Sequence, residues 1–166
     1  MIRIQRMIGT ELGKYYVFTG ASIPANDAQS LGLFHSVVEP GDIESSIRQI
    51  LTENTHDKYQ PKQIPDKFAE IASAFAAQNI PAALNGSDLT GISNALNDKL
   101  KKILGRKSAI ALKMANDVMD AQIPLSLADA VEYELDQLDT LFRTADALEG
   151  LTSAVEHRKP QFKGHK

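Results

Sequence analysis

Apolar residues in this 166-residue chain recur at intervals of three and four, the spacing that lines one face of an α-helix, along most of its length. "GDIESSIRQIL" sets Ile43, Ile47, Ile50 and Leu51 on one face, and "PDKFAEIASAF" does the same with Phe68, Ile71 and Phe75, behind Pro65 at a first helical position. Ser87 is placed to cap a third helix bearing Leu89, Ile92, Leu96, Leu100 and Ile103. Ile110, Met114 and Val118 mark a fourth, stopped by Pro124. Ser126 and Asp129 have the three-residue spacing of a helix cap, and the stripe behind them is Leu127, Val131, Leu135, Leu138 and Phe142. Thr144 caps the last helix, with Leu148, Leu151 and Val155 expected to face inward and Pro160 beyond its end. Nearer the front, "GTELGKY" reads as a helix start, Tyr15, Tyr16 and Phe18 as an amphipathic helix end, and "PANDAQSLG" as a two-turn helix closed by Gly32.

One stretch departs from this period. "GLFHSVV", from Gly32, is rich in β-branched and aromatic residues and allows one short strand. A single strand leaves its N–H and C=O groups without partners, so the segment is either an irregular linker or pairs with strands outside this chain. The expected fold class is therefore mainly α, with at most one short strand. Two polar breaks interrupt the helices: "TENTHDKYQPKQ" (52–63), which reads as a linker, and "NIPAALNGSD" (79–88).

The composition narrows the function. A hydrophobic share of 43% suffices for one ordinary core, and a net charge of −3 with a pI near 5.8 argues against a general nucleic-acid binder. The chain has no cysteine, which removes disulfides, thiolate nucleophiles and cysteine metal sites. "MIRIQRMIG" lacks the pattern of a secretory signal and no apolar run reaches the length of a membrane span. The expectation is a soluble, cytoplasmic protein without a membrane or nucleic-acid partner.

Local catalytic signatures are missing. "GTELGKY" has three residues between its glycines where a phosphate loop has four, and Tyr15 where that loop needs Ser or Thr. His35, His56, His157 and His165 show no metal-ligand spacing, and His56 with Asp57 falls in the polar linker. No Gly-x-Ser-x-Gly elbow occurs, and Glu132, Glu134, Asp136 and Asp139 alternate with an apolar stripe as a solvated helix face does. Met114 and Met119 read as core fillers. The electrostatic exception is the end of the chain: residues 147–166 carry Arg158, Lys159, Lys163 and Lys166 against only Glu149 and Glu156.

Two stretches carry a family likeness. Arg3, Arg6, Gly9, Thr19, Gly20, Ile23, Ala25, Ala28, Gly32, Leu33, Val37 and Val38 fall in register with a pattern of the crotonase, or enoyl-CoA hydratase/isomerase, superfamily. Independently, Phe142, Asp146, Ala147, Glu149, Gly150, Arg158, Lys159, Pro160 and Phe162 match the way members of that superfamily end. The chain thus resembles the C-terminal helical region of the crotonase-like fold, over 1–53 and about 101–166. The resemblance implies three parts: a post-catalytic helical segment (1–53), a helical insertion (54–104), and a C-terminal oligomerisation and CoA-proximal region (105–166). An insertion there is similar to what is expected where a 3-hydroxyacyl-CoA dehydrogenase is fused to the hydratase.

The resemblance further implies that the catalytic glutamates and the oxyanion-hole N–H pair lie upstream of Met1, so that no catalytic residue is assigned in this chain. Alone it should be inactive. The parent would act on acyl-CoA thioesters in fatty-acid β-oxidation and assemble as a trimer-type homo-oligomer. The chain itself would hold no cofactor or metal, with NAD entering only through a fused dehydrogenase. The positions near the CoA adenine fall on Ala154 and His157, which depart from the family's aromatic and lysine, and His157, Arg158 and Lys159 could meet CoA phosphates by charge. Dipole compensation by a basic last turn explains the same residues. The alternative reading is a stand-alone, non-catalytic helical interaction module.

Overall fold

The computed structural model describes residues 1–53 and 63–164, and every regular element among them is helical. The linker with His56 and Asp57, at 54–62, and the chain end at 165–166 lie outside the described residues. The helices run α1 (Ile2–Ile8), α2 (Thr10–Thr19), α3 (Ala25–Ser30), α4 (Ile43–Glu53), α5 (Ala69–Ala74), α6 (Ile80–Asn85), α7 (Asn94–Leu104), α8 (Ala109–Ala121), α9 (Leu127–Phe142) and α10 (Ala145–Val155). The "GLFHSVV" stretch is irregular in this chain and leaves Phe34, Val37 and Val38 exposed.

The core is organised around α2. Leu12, Gly13, Lys14, Tyr15, Tyr16, Phe18 and Thr19 are all buried, which leaves this helix almost no solvent face. Tyr15 and Phe18 each meet the Phe75 ring edge to face, at centroid distances of 5.8 Å, and α1, α5, α7 and α8 pack around them. The tyrosines, expected at an amphipathic helix end, stand instead in the middle of the core. The close approach of α1 requires glycine at position 13, where a β-carbon would sit 3.1 Å from the Gln5 Cα. Met119 fills the remaining space and is fully buried.

The stretch 64–104 joins this same core: Phe68, Phe75, Leu89, Leu100 and Leu104 belong to one buried cluster with Leu12 and Tyr15. Two boundaries differ from the sequence reading. "NIPAALNGSD" contains α6, which starts with a proline in its first turn and is closed by left-handed Gly86. The third periodic helix, α7, begins at Asn94 behind a Ser93 cap whose Oγ accepts from the Leu96 N–H, and Ser87 caps nothing. The reason lies in Asn79, which is 1% exposed. Its Nδ2 donates to the Ser73 and Thr90 carbonyls, and its Oδ1 accepts the Thr90 N–H, each at 2.9 Å. This knot, with Asn97 Oδ1 accepting the Leu89 N–H, satisfies the loop backbone and buries Leu89 without a helix. The Ser126 and Thr144 caps form as expected.

A larger correction concerns direction. Leu148, Leu151 and Val155 of α10 are 67%, 57% and 81% exposed, so its apolar stripe faces outward, and Asp146 and Ser153 face in. On α9 only Ala130 is buried, while Leu127, Leu135, Leu138 and Phe142 are exposed. Ile43, Ile47 and Leu51 of α4 behave alike. The period was read correctly, but the four helices around α2 already cover its core, which leaves these stripes without a partner.

Lys14 is the one buried cation on α2, and its Nζ reaches Asp120 on α8 at 2.6 Å. Asp120→Ala leaves that ammonium buried and alone. The expected loss in urea unfolding is about 2–3 kcal/mol, less than the roughly 3–5 kcal/mol for a fully buried pair because Asp120 is half exposed. Adding Lys14→Met should recover most of the loss; equal stabilities of the single and double variants would contradict this account.

Candidate functional site

α8, α9 and α10, with the end of α2, enclose a groove of about 560 Å³. Its walls are apolar, built from Phe18, Leu112, Val118, Leu138, Phe142 and Phe162. Lys107, Glu134, Gln137 and Asp146 also line it, so a largely hydrocarbon space carries a few polar groups, the make-up of a small-molecule site.

Phe162 reaches the groove because the chain end is tied back along α10. That helix ends where the His157 N–H bonds to the Ala154 carbonyl and the Arg158 N–H to the Ser153 carbonyl. Closing this turn puts His157 in the left-handed region at φ +53°, a position that favours glycine, and reverses the chain. Two acids of the first turns of α10 then hold the returning segment. Glu149 receives both ends of the Arg158 guanidinium at 2.6 and 2.8 Å and the Gln161 N–H at 2.6 Å. Asp146 is buried, accepts the Ser108 hydroxyl at 2.6 Å, and takes the N–H groups of Lys163 and Gly164 at 3.0 and 3.2 Å. Between these anchors Phe162 lies over Gly150, its ring 3.5 Å from where a β-carbon would stand.

The electrostatics follow the geometry. The Arg158 guanidinium, then the Gln161 N–H, hold the Glu149 carboxyl down at about 2. Glu149 and Glu156 in turn raise Arg158. Within the basic tail, Arg158 therefore answers acids of its own chain.

The sequence-derived positions are placed as follows. Ala154, His157 and Lys159 are exposed around the end of α10, and Arg158 is engaged by Glu149 and Glu156. None of the four lines the groove. Sequence reasoning quoted Asp146 and Glu149 without a role, and missed Ser108, Lys107 and the wall position of Phe162. The available signal was two carboxylates three residues apart, followed nine residues later by an arginine. Among the described residues no group of three or more His, Asp or Glu is placed to hold a metal ion, and no helix is long and apolar enough to cross a membrane.

A mainly helical region closed by an acidic turn and a returning Arg-Lys-Pro-x-Phe segment is the form that the crotonase likeness leads one to expect. The chain matches the enoyl-CoA hydratase/isomerase family over residues 2–166 and belongs to it. This span takes in the stretch 54–104. The chain is also similar to a protein of Arabidopsis thaliana named probable enoyl-CoA hydratase 2, mitochondrial, with 25% identity over 163 residues. That alignment covers 98% of this chain but 38% of the relative, so the chain spans well under half of the protein it resembles. No solved structure matches the chain significantly.

Glu149 supplies a pH test. Its pKa is depressed in the folded state, so its contribution to stability is complete above the ordinary glutamate value near 4.5 and fades as pH falls toward about 2. The stability gap between the wild type and Glu149→Gln, read from denaturant midpoints, should be open at pH 6 and narrow across that window. A gap unchanged from pH 6 to pH 2.5 would contradict the clamp.

Proposed function

We propose that these residues form the C-terminal helical layer of an enoyl-CoA hydratase-type protein, acting on acyl-CoA thioesters together with catalytic groups from other parts of that protein. The family match carries the substrate class. The observation that carries the role of the layer is the outward apolar face of α9 and α10, from Leu135 to Val155. An apolar surface of that extent is stable in water only when something covers it, and assembly with further protein, including other copies in a homo-oligomer, does so. The family's chemistry adds water to an unsaturated thioester, with negative charge developing on the carbonyl oxygen. Fixed N–H donors stabilise that charge, and carboxylates deliver and remove the protons. A 3-hydroxyacyl-CoA dehydrogenase fused to the same protein, with NAD as its cofactor, is an extension that rests only on reading 54–104 as an insertion, a stretch that the family match takes in.

Crotonyl-CoA hydration, followed by loss of enoyl thioester absorbance, tests the reading. The full-length protein should turn over and the 166-residue chain should not, while light scattering should show the chain self-associating. Turnover by the chain alone would overturn the division of labour, and a full-length protein without activity or acyl-CoA affinity would point to a non-catalytic interaction module.

A further inference from the structure

On α9 the exposed acids Asp129, Glu132, Asp136 and Asp139 follow one another at intervals of three, four and three residues, which sets them in one row along the helix. The exposed cations Lys99, Lys102 and Arg106 repeat the first two of those intervals, Lys99 and Lys102 on the outer face of α7 and Arg106 just beyond its end. Partners within the chain account for little of either row. Arg143 takes Asp139 at 2.8 Å, and the Ser126 hydroxyl donates to Asp129 at 2.7 Å. Glu132, Asp136, Lys99, Lys102 and Arg106 have no ion-pair partner among the described residues, and no ion pair there joins the two rows. Asp98 is exposed beside the cations without pairing, and Lys101 is held by Asp88 at 2.9 Å, so the α7 face stays net positive. The helix dipoles favour Asp129 in the first turn of α9 and Lys102 in the last turn of α7, and leave Glu132, Asp136 and Lys99 unexplained. Glu132 with Asp136, and Lys99 with Lys102, are like charges one turn apart, an arrangement that weakens a helix.

Two rows of opposite sign and matching spacing, both unanswered within the chain, complement each other between copies. We propose that the Lys99, Lys102 and Arg106 row of one copy docks on the Glu132 and Asp136 row of a second copy of this chain. This rests on the reading above that α9 is covered in an assembly, and it names both the occupant and the face that meets it. Leu135 and Leu138 are exposed beside the acidic row, so apolar burial supplies affinity while the charges select which face of the neighbour approaches α9. α7 packs on α2 and α6, and α9 on α1, α8 and α10, so one copy offers both rows at once. A contact between two different faces runs head to tail and closes into a ring of copies, unlike the self-matched face of a twofold dimer. A nucleic acid would engage the cations and be repelled by the acids, whereas a second copy uses both.

Charge reversal tests this, with the self-association of the 166-residue chain read by light scattering at low salt. Lys99→Glu/Lys102→Glu and Glu132→Lys/Asp136→Lys change only exposed side chains, and circular dichroism verifies that both fold. Each variant alone should associate about tenfold more weakly than the wild type. Their equimolar mixture should recover the wild-type association, because every contact in it again joins opposite charges. The wild type should lose association as salt is raised, since the paired rows lie near the surface and are screened. Lys159→Glu/Lys163→Glu, an equal change of charge on the tail, should associate as the wild type does. Undiminished association of either ridge variant, a mixture that stays as weak as its components, or an equal loss in the tail variant would each overturn the docking. If the wild type associates and the ridge variants match it, this contact alone falls; if the wild type is a monomer at every salt concentration, the self-assembly reading falls with it.

Discussion

Burying α2 on every side is the constraint from which the rest of the structure follows. The buried positions of α2, Leu12, Gly13, Lys14, Tyr15, Tyr16, Phe18 and Thr19, together run round its circumference, so contact with a single neighbour cannot keep them all from water. The helix needs a ring of partners, and α1, α5, α7 and α8 form that ring. Each buried aromatic or Leu contributes on the order of 1.5–3 kcal/mol through apolar burial, so the ring is where the stability of the fold is concentrated. Gly13 lets α1 close in, and Lys14, the polar exception on the helix, is matched by Asp120 from outside. Once these helices have turned their apolar sides toward α2, nothing of comparable size is left to cover α4, α9 and α10.

The parts of this arrangement that were legible in the sequence are those set by local chemistry. The stripes on α7, α8 and α9, the caps at Ser126 and Thr144 and the stop before Pro124 follow from spacing and side-chain type alone. Direction was not legible, because a stripe at Leu148, Leu151 and Val155 identifies an apolar face without saying which body covers it. Ser87 and Ser93 are chemically equal as caps, and the choice between them was made by Asn79, eight and fourteen residues away, through bonds to loop backbone. Propensity cannot register such an interaction. The likeness to the crotonase superfamily was legible at both ends of the chain, and the family match over 2–166 bears it out.

The site divides along the same line. Asp146, Glu149, Gly150, Arg158 and Phe162 were visible as a pattern, but what they do depends on the chain reversing at His157. Only then does Arg158 lie over Glu149, nine positions earlier, and only then does Phe162 close one wall of the groove. Of the tail's cations, Arg158 is engaged by Glu149 and Glu156 once the chain has reversed. Charge runs are informative about ligands once the partners within the chain have been assigned.

The central claim is that the chain has a closed core around α2 and an open apolar face on α9 and α10, which we propose is covered by further protein. Hydrogen–deuterium exchange on the isolated chain and on the full-length protein, compared segment by segment, addresses it most directly. The account predicts slow exchange of the α2 amides in both samples, with α9 and α10 becoming protected only in the full-length protein. Equal protection of α9 and α10 in the two, or α2 amides exchanging as fast as those of α4, would contradict it.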